Sequence, residues 1–324
     1  MKTMIRNGIV VPMNRNMDVW PDGYVVFEGT KILEAGPVDG LDAAIIRYGG
    51  ENGAGSDFQV IDARRAIVMP GMVNTHCHLG MIPFRGLGDD CKDRLRVFLL
   101  PMEEQAMDCE LAVASSRYAV AELLLGGVTT VLDMYYFEDQ VARVMDEMGI
   151  RGIAGETVME EATCDAESPQ EAIDRGEAMI RAYRDHPRIK GCLAPHGTTT
   201  CSPDTLRRVH DVDRFYNVPF TLHVAEMDYE MIQLRDSFGL TPVEYLQELG
   251  VLDENTVSAH SIRLTDKDIR ILKEAGASIA HCIASNTKAA KGVAPVRAMH
   301  RAGVNVGLGT DGPASGNTLD LFSQ

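Results

Sequence analysis

The residues of this sequence that could do chemistry are histidines and acids at short spacings. His76 and His78 are two residues apart, and Glu226 follows His223 by three residues. In a β-strand, side chains at i and i+2 project to the same side, so the imidazoles of His76 and His78 can reach one metal ion. A hydrogen-bonded pair without a metal has the same spacing, so the His-x-His pattern alone leaves both interpretations open.

Two further residues complete a candidate ligand set. His223 supplies a third imidazole, and Asp311, in Gly309–Gly312, supplies an oxygen. Three imidazoles and one carboxylate suit Zn²⁺ or Fe²⁺ better than Mg²⁺ or Ca²⁺, which prefer oxygen ligands. We therefore expect one divalent transition metal, zinc first and iron as the alternative, with one coordination position left for water.

An acid and a further imidazole could act on that water. Glu226 could lean over it, although a solvated carboxylate is the usual state of a glutamate on an acidic protein. His260 could hydrogen-bond the same water or the oxyanion that develops during a reaction.

Strands and helices must bring these scattered residues together. From Ile67 onward apolar runs alternate with helical stretches, and eight of these runs are predicted strands: Ile67–His76, Thr129–Tyr135, Gly152–Val158, Lys190–Pro195, Pro219–Val224, Thr256–His260, Ser278–His281 and Asn305–Gly309. Helix starts are predicted at Ser168–Glu171 and Thr241–Glu244, where an N-cap hydroxyl precedes a glutamate by three residues, the spacing of a capping box. Ser202 and Thr265 are further predicted N-caps.

This alternation predicts an α/β fold, a (β/α)₈ TIM-like barrel over residues 67–324, because such barrels typically need about 250 residues. A doubly wound open sheet is the alternative, but no Gly-x-Gly-x-x-Gly loop follows a predicted strand. Reacting groups of barrels lie at the carboxyl ends of the strands. His76, His223 and His260 fall at such ends, and Asp311 follows the last strand.

Residues 1–66 have a different pattern, in which short β-rich runs alternate with turn formers such as Pro21-Asp22-Gly23. The segment Gly49–Gly55 has the composition of a mobile loop. We predict that residues 1–66 form the N-terminal half of a small β-sandwich domain, which has no chemistry of its own.

Composition and net charge limit the classes of binding partner and indicate the cellular compartment. Lys+Arg 31 against Asp+Glu 47 gives a formal net charge of −16, so the surface repels nucleic acids and anionic membranes. No apolar run reaches the roughly 18 residues that predict a membrane span. Seven cysteines without a Cys-x-x-Cys pair are typical of reduced thiols, so we predict a cytoplasmic protein. A homo-oligomer is compatible with the sequence.

Several motifs together resemble the amidohydrolase superfamily. They are Pro70–His78, Leu222–Glu226, Ala259–His260, Ser285–Lys288, Gly292–Val296 and Gly309–Gly312. More narrowly, they resemble its chlorohydrolase/aminohydrolase branch, and especially the 5′-methylthioadenosine/S-adenosylhomocysteine deaminases. The resemblance implies four metal ligands: His76, His78, His223 and Asp311. It also implies that Glu226 is a proton shuttle and that His260 is a catalytic hydrogen-bonding residue.

Three further positions concern the substrate. Glu103 matches the ribose-binding glutamate of those deaminases, although a solvated acid near a helix N-terminus is the alternative interpretation. His196 matches a histidine that faces the substrate. Glu156 departs from the pattern, because those deaminases carry an arginine after the third strand. An acid there changes which substrate group is held, so Glu156 is predicted to contact the substrate.

The predicted reaction is hydrolytic deamination of an amino-substituted N-heterocycle, of purine or nucleoside, pterin or triazine type. The metal would lower the pKa of its water toward about 7, and the resulting hydroxide would attack the amino-bearing carbon. Asp311 and His260 would help take the proton, and Glu226 would protonate the ring nitrogen before ammonia leaves. Two alternatives stay open: a sister hydrolysis (dechlorination, N-dealkylation or cyclic amide opening) and a catalytically silent metal-binding scaffold.

The end of the sequence carries one more expectation. Only a short segment follows Asp311, and Leu319–Phe322 begins to resemble a helix. A barrel needs an eighth helix over its last strand, and the resembling proteins continue well beyond this point. We therefore expect the chain to continue past Gln324, with the last barrel helix and a C-terminal part of the β domain missing here.

Overall fold

The computed structural model describes residues 1–49 and 58–324, and these form two compact units, Met1–Gly71 and Met72–Gln324. The predicted loop Gly49–Gly55 lies outside the described residues except for Gly49, which ends a helix. Each unit has its own buried apolar cluster.

The first unit is a five-stranded sheet with one helix. Its elements are β1 (Lys2–Val10), β2 (Trp20–Glu28), β3 (Lys31–Pro37), α1 (Leu41–Gly49), β4 (Phe58–Asp62) and β5 (Ile67–Val68). β2 pairs antiparallel with β1 and with β3, whereas β4 and β5 pair parallel with β1. Met4, Tyr24 and Val26 of the sheet form one buried cluster with Ala44 of α1.

Helix α1 was not predicted. Leu41, Ala44, Ile45 and Tyr48 have the spacing of one helical face, and all four belong to the apolar cluster on the sheet. A helix this short is stable only when it packs against another element, so local composition gave little sign of it. The described part of this unit contains a single sheet, and the β-sandwich stays a prediction.

The second unit alternates strands and helices. Its strands are β6 (Met72–Cys77), β7 (Val128–Tyr135), β8 (Arg151–Val158), β9 (Ile189–Pro195), β10 (Phe220–Val224), β11 (Thr256–His260), β12 (Ser278–His281) and β13 (Asn305–Leu308). Its helices are α2 (Leu100–Ala106), α3 (Cys109–Leu125), α4 (Glu138–Met148), α5 (Pro169–Ala182), α6 (Pro203–Tyr216), α7 (Asp228–Phe238), α8 (Pro242–Leu249), α9 (Asp266–Ala275), α10 (Ile283–Lys288), α11 (Val296–Ala302) and α12 (Pro313–Gly316). Within residues 1–49 and 58–324, no helix is both long enough and apolar enough to cross a membrane.

The eight strands form two four-stranded parallel sheets, ordered β6-β7-β8-β9 and β10-β11-β12-β13. Parallel bridges between Gly197 and His223 and between Cys77 and Asp311 join the two sheets. This is an α/β fold with parallel sheets, as predicted. The predicted first strand, Ile67–His76, was wrong in one respect. Its first residues form β5 in the other unit, and the strand resumes only at Met72, after Pro70, which lacks a backbone N–H.

Hydroxyl caps start several helices of this unit. Thr241 with Glu244 forms the predicted capping box, and Thr265, predicted only as an N-cap, forms a second box with Asp268. Ser168 caps α5, but the Glu171 carboxylate accepts from the Glu167 N–H rather than from Ser168. The predicted box at Ser168 is therefore only half formed.

Candidate active site

The predicted metal ligands converge at the carboxyl ends of the strands. The ring centroid of His76, in β6, lies 4.7 Å from that of His78 and 4.9 Å from that of His223 in β10. Asp311 follows β13, and its Oδ1 lies 3.0 Å from His78 Nε2. The bridge between Cys77 and Asp311 holds the end of β13 beside β6, so residues distant in sequence meet at one point.

His76 carries donor atoms that the protein leaves unpaired. Its side chain is 0% exposed, and neither ring nitrogen has a hydrogen-bond partner among residues 1–49 and 58–324. The donor atoms of His76, His223 and His260 lie within 4.8 Å of one another, as do those of His76, His78 and Asp311. Buried polar atoms normally have partners, so this donor set fits a bound cation.

Burial also keeps two of these imidazoles in the form that binds metals. Burial, together with the neighbouring imidazoles, lowers the pKa of His76 and of His223 well below the ordinary histidine value. Both rings are therefore neutral at physiological pH, and a neutral imidazole is the metal-binding form.

Backbone carbonyls orient two of the rings. His223 Nδ1 lies 2.6 Å from the His196 carbonyl oxygen, and His78 Nδ1 bonds the Met134 carbonyl. Because a carbonyl only accepts, Nδ1 of each ring carries the proton and donates. Nε2 of each ring is then left to face the cluster.

Asp311 is fixed by several donors. Ser285 Oγ donates to its Oδ2 at 2.5 Å, and the Gly312 N–H donates to its Oδ1 at 2.6 Å. Burial opposes ionisation of this carboxyl, but the hydrogen bond and charge of His78 hold its pKa well below the usual range. In His78 the same pair acts in the other direction. Burial lowers the pKa of the ring, but the hydrogen bond and charge of Asp311 outweigh burial and raise this pKa to about 9.

The backbone is strained at three of these positions. Ala225, His260 and Asp311 have φ of 53°, 66° and 59°, in the left-handed region. Such a conformation costs about 1–3 kcal/mol in a residue with a side chain. All three residues lie at or just after a strand end, so strain is concentrated where the candidate residues meet.

Glu226 lies beside the cluster and is paired on two sides. Its Oε1 is 3.5 Å from His260 Nε2 and accepts a hydrogen bond from Lys291 Nζ. Burial raises the pKa of Glu226, but the charges of His260 and Lys291 outweigh burial and lower it below the ordinary value. The backbone N–H of Glu226 donates to Glu230 Oε2 at 2.9 Å, which fixes the chain at this point.

Lys291 and Glu230 were not predicted from the sequence. Lys291 follows α10 in an irregular segment, where no spacing marks it. Glu230 lies in the first turn of α7, where an acid is common because it faces the positive end of the helix dipole. Its position four residues after Glu226 was the only available signal.

The Ser285–Lys288 motif was quoted without a role, and the structure gives one to its first two residues. Ser285 bonds Asp311, as described above. Asn286 Oδ1 lies 2.8 Å from His260 Nδ1. The motif thus orients two predicted catalytic side chains from the start of α10.

A cavity of about 270 Å³ opens onto the cluster, and it is lined by most of the predicted residues: His78, His196, His223, Glu226, His260, Asp311 and Glu103. Glu103 is 3% exposed and accepts a hydrogen bond from Tyr135 Oη at 2.7 Å. Burial raises the pKa of Glu103 to about 7, and burial lowers that of His196 to about 4. His196 Nδ1 lies 3.0 Å from Thr200 Oγ1, so both side chains are held in place beside the cavity.

Glu156 is not brought to this cavity, contrary to the sequence-based expectation. The side chain is fully buried, with Oε2 accepting from the Glu138 N–H at 3.2 Å and Oε1 3.7 Å from Arg175 Nε. Its neighbour Thr157 lines the cavity instead. Adjacent residues of a strand face opposite sides, so the expected contact was assigned to the wrong face of β8.

Two further polar residues at strand ends lie outside the cluster. Asp133 Oδ1 accepts from the Leu79 N–H at 2.8 Å and thereby holds the turn after His78. His281 lines a different cavity, next to α11.

Comparison with known proteins identifies the family. A sequence model of the amidohydrolase family matches residues 67–324. A 5′-deoxyadenosine deaminase of Methanothrix thermoacetophila is 36% identical over 99% of this chain and 71% of its own length. For 5-methylthioadenosine/S-adenosylhomocysteine deaminase 1 of Syntrophus aciditrophicus, the identity is 33% over the same shares. The crystal structure of an adenosine deaminase from Xanthomonas campestris with bound zinc matches with a TM-score of 0.88 and 31% identity, over 99% of this chain and 71% of that one. The chain belongs to the amidohydrolase family.

Proposed function

We propose that this protein is a metal-dependent hydrolytic deaminase that releases ammonia from an amino-substituted N-heterocycle. The observation that carries the proposal is the meeting of His76, whose two ring nitrogens are unpaired among the described residues, with His78, His223 and Asp311, which line one cavity together with the carboxylate of Glu226. Relatives named as deaminases of adenosine compounds support the same reaction type. The enzyme is accordingly a hydrolase that acts on C–N bonds other than peptide bonds.

In this proposal four residues hold the metal: His76, His78, His223 and Asp311. The unpaired nitrogens of His76 and a donor set of three imidazoles and one carboxylate fit Zn²⁺, with Fe²⁺ as the alternative. The zinc in a related deaminase structure supports zinc. When bound, such a metal acts as a Lewis acid and makes water a stronger nucleophile at neutral pH.

The side chains of the protein move the protons. Glu226, ionised at rest, takes a proton from the attacking water and passes it to the ring nitrogen as that water adds to the amino-bearing carbon. The proton of the resulting hydroxyl then goes to the amine, which leaves as ammonia. His260, oriented through Nδ1 by Asn286, presents Nε2 toward Glu226 and lies 3.8 Å from Asp311 Oδ2. From there His260 and Asp311 orient the attacking water and hold its remaining hydroxyl proton until that proton passes to the leaving amine.

Substrate contacts in this proposal come from Glu103 and His196. Both line the cavity, and the hydrogen bond from Tyr135 leaves the second oxygen of Glu103 available to a substrate group. Glu156 has no such role here because it is buried away from the cavity. The substrate class is a purine nucleoside, pterin or triazine carrying an exocyclic amine.

The proposal extends to the architecture. The two parallel sheets, bridged on both sides, would close into a (β/α)₈ barrel over residues 67–324, and residues 1–66 would belong to a β-sandwich. The cytoplasmic location and the homo-oligomer stay predictions from the sequence.

An ammonia-release assay tests the proposal. The metal-loaded protein is offered adenosine, 5′-deoxyadenosine, guanine, a pterin and an aminotriazine, and we expect release from at least one of them. Glu226→Gln should keep the metal and lose turnover by about 10²–10⁴-fold, the usual contribution of general acid–base catalysis. The matched control is Glu248→Gln, which changes an exposed acid on α8.

Two results would count against the proposal. No ammonia from any compound, with stoichiometric metal bound, would exclude deamination of these classes, and chloride release from a chlorotriazine would then favour the sister reaction. Near-normal turnover of Glu226→Gln would remove Glu226 from the proton transfer.

A further inference from the structure

Lys291 places a positive charge inside the candidate active site. Its side chain is 13% exposed and lines the same cavity as Glu226 and His260. In the part of the chain that the structure describes, the only hydrogen bond of its ammonium group goes to Glu226 Oε1. An ammonium group has three N–H donors, so two of them remain for whatever fills the cavity.

The other cations that line this cavity are already used by the protein. Lys288 Nζ has three acceptors: Ala314 O at 3.0 Å, Asn317 Oδ1 at 2.7 Å and Asp89 Oδ1 at 2.8 Å. Arg94 bonds two backbone carbonyls and lies 3.4 Å from Asp89. Lys291 is therefore the lysine of the cavity lining with donors left for a ligand, and unlike Arg94 it is bonded to Glu226.

Those donors constrain the ligand. A heterocycle that fills the cavity displaces water, and a charged donor that loses water without gaining an acceptor is strongly unfavourable. The acceptor must also lie close to Glu226, because the ammonium group is bonded to that carboxylate. If Glu226 protonates a ring nitrogen, the acceptor must be a substituent of the ring carbon next to that nitrogen.

Adenine does not meet this requirement. The two carbons beside its corresponding ring nitrogen carry a hydrogen and the amino group, and neither is a good acceptor. An oxo group in place of that hydrogen accepts hydrogen bonds and could receive both free donors. Sites built to hydrogen-bond a polar substrate group reject analogues that lack it far more strongly than apolar pockets do.

We infer that Lys291 is a specificity-determining residue, which selects amino-heterocycles with a carbonyl oxygen on the ring carbon next to the nitrogen that Glu226 addresses. The inference rests on the proposed deaminase function. Among amino-substituted N-heterocycles it selects 2-oxo-6-aminopurines, and it adds 2-oxo-4-aminopyrimidines to the candidate substrates.

Two matched substrate pairs test the inference by ammonia release. They are isoguanosine against adenosine and cytosine against 4-aminopyrimidine, and each pair differs only in the oxo group and the ring N–H that accompanies it. The wild-type protein should prefer the oxo member by at least about tenfold in kcat/KM. Lys291→Met should abolish the preference, and Lys291→Arg should restore part of it. A general loss of activity cancels in the ratio. Lys267→Met, at a surface position with a side chain 63% exposed, should leave the ratio unchanged.

A binding measurement decides the inference even for a variant without turnover. Uracil and 4-pyrimidinone, the products of the pyrimidine pair, are titrated into the metal-loaded proteins by calorimetry. Uracil should bind the wild-type protein at least about tenfold more tightly and bind Lys291→Met no better than 4-pyrimidinone does. Equal binding by the wild-type protein, binding of neither product, or a preference that survives in Lys291→Met would overturn the inference. If no substrate of either pair releases ammonia, the proposed function fails for these substrates, while the product titration still decides the role of Lys291.

Discussion

Two groups of ionisable residues lie close together in the second unit, and only one of them faces the cavity. The imidazole cluster consists of His76, His78 and His223. The acid cluster consists of Asp133, Glu138, Glu156 and Asp165, all of them buried. Both include residues near the carboxyl ends of parallel strands, where sequence analysis expects catalytic groups.

Burial acts on the two clusters in opposite chemical directions. In the imidazole cluster it removes protons from His76 and His223 and leaves bare ring nitrogens. In the acid cluster, burial and neighbouring carboxyl groups raise the pKa of Glu138 and Glu156 well above the ordinary value and so favour their protonated forms. The comparison shows that position at a strand end does not make a site. The two clusters differ in their access to the cavity, because His78 and His223 line it and none of these four acids does.

The largest effect is expected from removing a donor of the imidazole cluster. Loss of a ligand's hydrogen-bond partner weakens metal binding roughly 10- to 100-fold. His76→Ala removes a proposed ligand itself, so metal binding should fall by more than this, and turnover should fall in parallel. Metal content after dialysis measures this. His300→Ala, which removes an exposed imidazole on α11, is the control, and full metal content in His76→Ala would contradict the ligand assignment.

An intermediate effect is expected one step away from the cluster. Ser285→Ala removes the hydroxyl that donates to Asp311, and metal affinity or turnover should fall about 10- to 100-fold. Competition with a chelator reports the affinity. Ser323→Ala, at an exposed position, should match the wild-type protein. If metal affinity and turnover rate are unchanged in Ser285→Ala, the Ser285 hydroxyl is not needed to orient Asp311.

The smallest effect on catalysis is expected in the acid cluster. Glu156→Gln replaces a buried carboxyl by an uncharged group of the same shape, and turnover should stay near that of the wild-type protein. A large loss of turnover would break the comparison, because it would return Glu156 to the active site. Glu167→Gln, at an exposed position, is the control.

Glu156→Gln should also change how the stability of the protein depends on pH. The pKa of Glu156 in the folded protein is raised above its ordinary value of 4.5, so its contribution to stability is complete below that pH and is lost as the pH rises. Glutamine does not titrate. The free energy of unfolding of Glu156→Gln, relative to the wild-type protein, should therefore increase from pH 5 toward pH 8, by at most about 1.4 kcal/mol per pH unit. Denaturant titrations at several pH values measure it, and a pH-independent difference would contradict the raised pKa.

The parts of the site that the sequence predicted depend on local patterns. The i, i+2 spacing of His76 and His78 and the apolar runs that precede His223 and His260 are readable within a few residues. Strand order then follows from the alternation with helices, and the convergence of these side chains follows from strand order.

The parts that the sequence did not predict depend on tertiary structure. Lys291 and Glu226 are 65 positions apart, and no periodicity connects them. Glu156 was assigned to the cavity because it ends a strand, but which face of β8 it occupies depends on the register with the neighbouring strands. Helix α1 is short and depends on its sheet, so composition alone does not mark it.

If His223 binds the metal as proposed, its hydrogen bond to the His196 carbonyl connects a cavity-lining residue to the orientation of a metal ligand. Substrate and metal would then be thermodynamically linked, and each would change the affinity of the other by the same factor. An enzyme whose bound substrate stabilises this contact would lose its metal to a chelator more slowly than the substrate-free enzyme. Substrate binding would then protect the metal on which turnover depends.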